Sequence, residues 1–297
     1  TTSDVKWGVI DATLTLADGK GTPTVISHSI RPRFGSNVTP MVGGSFAELS
    51  TGAAAGKGDT NPDYQDFEGG TGEGKSSAFP ADFLAANQGK LPNAPNCPAA
   101  DPFSAANDPV MLTLTIRVPT NAKSFTLSTD FFSSEFPEYT CSMFNDFFVV
   151  LLDSKYAGMN PNPTDKNLAF YTPPNTTDKY PVGVNLATGN TGLFTQCVNG
   201  HIGCAAGQLN KSIATCTSQS QLAGTGLDTP SGGECDGNSV EGGGTGWLVT
   251  AGNVVGGEVI TLRIAIWDTS DGMLDSLAII DGFTWSVDEA SPGTVIF

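Results

Sequence analysis

Residues 258–287, EVITLRIAIWDTSDGMLDSLAIIDGFTWSV, decide the fold. Ile260, Leu262, Ile264 and Ile266 alternate with polar or small residues, the period-two pattern of a strand with one face in a core. Leu277, Ile279, Phe283, Trp285 and Val287 are expected to share one face of a second strand. Between the two runs stand three carboxylates, Asp268, Asp271 and Asp275, in a turn that contains Gly272.

The same alternation recurs upstream. Val110, Leu112, Leu114, Ile116 and Val118 fall on one face, with Met111, Thr113, Thr115 and Arg117 on the other. Phe125, Leu127, Thr129 and Phe131 continue the pattern, and Trp7 to Leu16 reads as a strand at a sheet edge. DFFVVLLD, Asp146 to Asp153, is apolar on both faces, as a central strand covered on both sides would be. A short helix is expected over Pro80 to Asn87, stopping at Gly89. Gly 36 and Pro 19 with 15% charged residues favour turns over long helices. The predicted fold is therefore all-β: a two-sheet β-sandwich of jelly-roll type with long, disulfide-stapled loop insertions. It is read as a single elaborated domain, 1–297, with a loop-rich insertion at 35–108 and a Cys-rich one at 160–246.

A formal net charge of −16 would repel a phosphate backbone and an anionic membrane surface, so nucleic acid is not an expected partner. No apolar run approaches the ~18 residues that span a bilayer, and no membrane insertion is expected. Cys97, Cys141, Cys197, Cys204, Cys216 and Cys235 include no C-x-x-C pair, which suits disulfides in an oxidising compartment. The nearest pair, Cys197 and Cys204, is the expected local bridge. The opening TTSDVKW, without Met or an apolar leader, fits a secreted, extracellular chain whose signal peptide has been removed.

Motifs for catalysis are thin. Gly69 to Ser76 satisfies G-x-x-x-x-G-K-S literally, but a phosphate loop needs a buried strand before it and a long helix after it, and Pro80 follows within four residues of Ser76. His28 and His201 are the two histidines, and neither H-E-x-x-H nor G-x-S-x-G occurs. Cys197, His201, Cys204 and Cys216 have zinc-ligand chemistry, an alternative to disulfides.

The strongest cluster has two halves. Asp130, Glu135, Glu138, Asn145 and Asp146 lie around the segment between the strand ending at Phe132 and the one beginning at Phe147. Asp268, Asp271 and Asp275 form the other half. If the halves meet at one end of the sandwich, five or six carboxylate or amide oxygens converge, and a structural Ca²⁺ resolves their repulsion. The spacing is not that of an EF-hand. The plainer reading is a solvated hairpin turn, though Asp275 sits where a strand enters the core.

At these residues the chain resembles the bacterial choice-of-anchor L domain family. DFFSSEFPEYTCSMFNDFFVVLLDS and IAIWDTSDGMLDSLAIIDGFTW are similar to its two acidic segments, and SFAELSTGAAA and GGGTGWLVTAGNVVGGEVITLRIAI to further elements, together covering most of Gly44 to Trp285. The resemblance implies an exported, surface-anchored or released bacterial β-sandwich protein without established catalytic activity. It places the acidic motif positions on Glu135, Asn145, Asp146, Asp268, Asp271 and Asp275. The chain stops at SPGTVIF without a sorting signal, so covalent anchoring is not expected.

The expected function is that of a secreted, non-enzymatic, Ca²⁺-stabilised structural or adhesive protein of the bacterial cell surface or matrix. Its partner would be itself, as a homo-oligomer or fibre, or surface glycans or proteins. In the fibre form, VKWGVIDATLTL or GTVIF would complete a neighbour's sheet by strand addition. A rival class is a carbohydrate-binding module using Trp7, Trp247, Trp267, Tyr139 or Tyr171, and a third is a hydrolase with paired acids.

Overall fold

Apolar residues alternating with Thr and Ser give this chain antiparallel strands, and its computed structural model describes residues 6–69, 74–98, 105–198, 202–203, 216–228 and 242–297. In chain order the strands begin with β1 (Gly8–Thr15), β2 (His28–Arg31), β3 (Phe46–Ser50) and β4 (Ser76–Ser77). After helix α1 (Ala81–Ala86) come β5 (Ala106–Arg117), β6 (Ser124–Ser133) and β7 (Phe147–Asp153). The short pair β8 (Phe170–Tyr171) and β9 (Tyr180–Pro181) precedes β10 (Gly243–Asn253), β11 (Val259–Asp268), β12 (Ser276–Ser286) and β13 (Gly293–Ile296).

Two sheets carry the fold. The first has the order β1-β5-β11-β7, with β4 pairing the start of β5; the second has the order β13-β10-β6-β12-β3-β2. Their inner faces share one core. Leu112, Leu114, Ile116, Leu262, Ile264 and Val150 of the first meet Phe125, Leu127, Phe131, Leu248 and Ile280 of the second. A fully buried side chain of this size contributes about 1.5–3 kcal/mol.

Both outer faces are covered as well. Phe79 and Phe83, around α1, pack over Phe147, Val149, Leu151 and Trp267 of the first sheet. Phe34, Phe67, Leu222 and Leu227 pack over Phe132, Leu277 and Ile279 of the second. This double cover explains the unbroken apolar run of β7, although β7 is the last strand of its sheet and not a central one. Its free side is shielded by 166–168 and Val182, through Leu168 N–H donating to Val150 O at 2.8 Å and Phe148 N–H to Val182 O at 3.1 Å.

The long strands alternate between sheets: β5, β7 and β11 in one, β6, β10 and β12 in the other. The acidic turn after β11 is therefore an arch from sheet to sheet and not a hairpin. A second correction concerns β12, where the register shifts between Asp281 and Thr284 and Gly282 adopts φ +63°. This bulge reverses the faces: Leu277 and Ile279 point outward, while Ala278, Ile280, Phe283 and Trp285 join the inner core. Within the loop-rich 35–108 stretch, β3 pairs with β12 inside the second sheet.

Two disulfides lie among the described residues, Cys97–Cys141 with Cα atoms 4.9 Å apart and Cys197–Cys216 at 5.2 Å. Cys197 is thus joined to Cys216 and not to Cys204. A short ladder aligns that pair: Cys197 N–H donates to Ser218 O and Thr217 N–H to Thr195 O. It also removes two of the four suggested zinc ligands; His201, Cys204 and Cys235 lie outside the described residues. The bridges point to an oxidising compartment. Among the described residues no helix is long and apolar enough to cross a membrane. The segments suggested for strand addition already pair within the chain, β1 with β5 and β13 with β10.

Candidate metal centre

Two arches cross between the sheets at the same end of the sandwich. One, 134–146, runs from β6 to β7; the other, 269–275, runs from β11 to β12. They are tied directly, with Asn145 N–H donating to the Thr269 hydroxyl at 3.0 Å and that hydroxyl donating to Asn145 O at 2.8 Å. Ser134 donates through its N–H and its hydroxyl to Asp275 O, and Ser270 donates to Met143 O. Cys97–Cys141 anchors the first arch to the loop after α1. Several non-glycine residues around this end hold left-handed backbone: Asp108 at φ 43°, Cys141 at 62°, Ser270 at 76° and Leu274 at 62°. Strain of this sort costs about 1–3 kcal/mol per residue and gathers at ligand clamps.

The arches bring most of the expected ligands together. Glu135, Asn145, Asp146, Asp268 and Asp275 are all buried, while Asp271 is exposed at the rim. Glu135 Oε2 accepts from Asp146 N–H at 3.4 Å, and Asp146 Oδ2 accepts from the Ser276 hydroxyl at 2.5 Å. Among the described residues, Asp146 Oδ1, Asp275 Oδ1 and both oxygens of Asp268 have no hydrogen-bond partner. Asp268 faces Asp146 within hydrogen-bonding reach, so the pair can share one proton, whereas two ionised carboxylates there would repel. Asn145 Oδ1 accepts from Asn185 N–H at 2.8 Å, which braces the arch and leaves that oxygen a second lone pair.

Burial, followed by the repulsion of Asp146, lifts the carboxyls of Glu135, Asp268 and Asp275 above their ordinary range, Asp275 to about 8. Asp146 is raised too, chiefly by burial. Four acids sharing one dry space oppose one another's ionisation, so the cluster holds either protons or a cation. Among the described residues, no three His, Cys, Asp or Glu side chains already close around one point as a ligand cage.

Further residues complete the centre. Thr51, at the end of β3, lies beside Asp268 and Asp275, and its hydroxyl accepts from Ser276 N–H at 2.9 Å. Gly52 leaves the space that Asp275 fills, because a Cβ there would collide with its carboxylate. Buried Asp108 adds a charge near Asp275. These three come from segments far from either arch; the L-S-T-G run that holds Thr51 and Gly52 is their one sequence signal. Asp130 lies elsewhere, wholly buried on β6 opposite Trp247. Of the aromatic candidates for glycan contact, Trp267 is core, packed on Phe79, Phe83 and Phe147, whereas Trp7 is 61% exposed. Trp247, Tyr139 and Tyr171 are half-buried.

Compared with known proteins, the chain matches no family model, no curated protein and no solved structure.

Proposed function

We propose that this chain is a secreted, non-enzymatic β-sandwich of jelly-roll type, related to the choice-of-anchor L family, that serves as a structural or adhesive module of a bacterial surface or matrix. Ca²⁺ clamps its two arches through Glu135, Asp146, Asp268 and Asp275, with Asp271 at the rim. The observation that carries this reading is the burial of these four carboxylates in one place with four oxygens lacking donors. Each unsatisfied buried group costs about 1–3 kcal/mol, more when charged. The donors are all oxygen, which suits a hard cation of flexible coordination and not zinc, which prefers nitrogen and sulfur. A clamp at this point stiffens the end of the sandwich and gives the loops there a fixed surface for contact. Because β1 and β13 are already paired, addition of a free terminal strand forms no part of the proposal.

The test is a crossed one: thermal unfolding and calorimetric titration with Ca²⁺ or with chelator, on the native protein and on Asp268→Asn. Removing one charge should raise Tm in chelator, by relieving repulsion, and lower it in Ca²⁺, by removing a ligand. A protein whose Tm ignores Ca²⁺ and which takes up none in the titration would sink the reading.

A further inference from the structure

At the opposite end of the same strands the two sheets part. The space between them is a slot of about 480 Å³. Its floor is formed by Leu112, Leu114 and Ile116 of β5 and its roof by Ile280, Phe283 and Trp285 of β12. Trp7 and Val9 stand at the mouth, 61% and 54% exposed. The slot exists because β3 stops pairing with β12 at Ile280, while β12 continues to Ser286. The bulge at Gly282 then turns Phe283 and Trp285 inward, where both rings meet Phe125 with centroids 5.0 and 6.1 Å away. Sandwich interiors are ordinarily filled to crystal-like density, so an open apolar slot with a Trp at its lip marks a binding surface.

The chemistry of the slot selects its occupant. A β-strand would need the free backbone edge of β12, but that edge is bulged and capped. Asp281 Oδ2 accepts from Met41 N–H at 2.7 Å and Val42 N–H at 3.1 Å, so residues 41–42 already stand there. Among the described residues Asp281 is also the one ionisable group lining the slot, and its Oδ1 is engaged by Gly282 N–H at 2.7 Å. No described side chain of the lining offers a counter-charge, and the chain's net charge of −16 repels an anionic head group. The floor from Leu112 to Ile116 runs about 14 Å, at roughly 3.4 Å per residue. At roughly 30 Å³ per water-sized group, the volume takes about 16 such groups, enough for one alkyl chain.

We propose that this inter-sheet slot binds the alkyl chain of an uncharged single-chain amphiphile, its tail along Leu112, Leu114 and Ile116 and its head in solvent beside Trp7.

Dodecyl maltoside, kept below its micelle-forming concentration, is the probe. Calorimetry on the native protein should show saturable one-to-one binding with a change in tryptophan emission, unaltered by Ca²⁺, and at least tenfold weaker binding of dodecanoate. Leu114→Trp, which fills the slot, should lose at least tenfold in affinity while keeping the native melting profile. Trp7→Ala is exposed enough to fold regardless, and should bind several-fold more weakly and lose most of the emission change. The proposal is overturned by non-saturable uptake, by equal affinity for dodecanoate, or by Trp7→Ala binding as tightly as the native chain. It is also overturned by a concentration-dependent dimer that Leu114→Trp abolishes, since the occupant would then be a second copy.

Discussion

The Ser276 hydroxyl donates to Asp146 Oδ2 at 2.5 Å, joining the first residue of β12 to the last residue of the arch that leads into β7. Both residues are fully buried, and 130 positions separate them in the chain. Ser276 is held in turn by β3: its N–H donates to the Thr51 hydroxyl, and its carbonyl accepts from Thr51 N–H and the Ser50 hydroxyl. One serine therefore ties three segments together under the carboxylates.

Ser276→Ala should consequently destabilise the protein by about 1.5–3 kcal/mol, the range for a hydrogen bond to a charged group. It should also weaken Ca²⁺ binding by about 10–100-fold, as loss of a residue that orients a ligand does. Urea unfolding in Ca²⁺ and calorimetric titration measure the two effects. Unchanged affinity together with lost stability would mean that Asp146 is not a ligand.

The Cys97–Cys141 bridge closes a separation of 44 residues and holds the Glu135–Asp146 arch to the loop after α1. Replacing both cysteines by alanine should cost about 2–4 kcal/mol. Because Cys141 N–H also reaches Asn185 Oδ1 at 2.5 Å, and Asn185 N–H reaches Asn145, the loss should spread into the acidic arch and lower Ca²⁺ affinity. Hydrogen exchange over 134–146 should rise in the variant while exchange in β5 and β11 stays native. A uniform rise across the sandwich would show that the bridge stabilises the whole fold and not this arch.

Much of the scaffold is legible in the sequence because β5, β6 and β11 each turn one face to the shared core, and the apolar residues on that face recur with a period of two. The limits are equally physical. In β12 a single residue at positive φ, Gly282, reverses the side-chain phase, and no local pattern announces it. Strand β10 is hidden by its glycines, which are small because Phe136, Phe194 and Phe132 occupy the places where Cβ atoms at Gly243 and Gly244 would stand. An acidic turn reads alike as a hairpin or as an arch between sheets, since that difference lies in which strands pair and not in the turn. For the same reason Glu135, Asp146, Asp268 and Asp275 can be named from sequence while Thr51, Gly52 and Asp108 cannot: their approach depends on β3 and β5 arriving at the same end.

Glu48 provides a pH dependence separable from the acidic arches. It is buried on β3, accepts from the Ser29 hydroxyl at 3.0 Å and lies 3.6 Å from the Arg31 guanidinium, yet its Oε1 has no partner. Burial outweighs those two attractions and pushes its carboxyl up to about 8 from an ordinary 4.5. The native state therefore holds a proton that the unfolded chain has already released. Its contribution to stability is complete below about 4.5 and is lost as pH rises through about 8. With Ca²⁺ present, which under the proposed function keeps the arch carboxylates from titrating in this range, native protein should lose up to a few kcal/mol between pH 5 and pH 9, since each tenfold change in proton affinity is worth about 1.4 kcal/mol. Glu48→Gln, uncharged at both ends, should reduce that slope, leaving the part owed to buried Asp130, whose carboxyl burial also raises. Urea unfolding across the range measures it, and a slope that survives the substitution undiminished would assign the proton to another group.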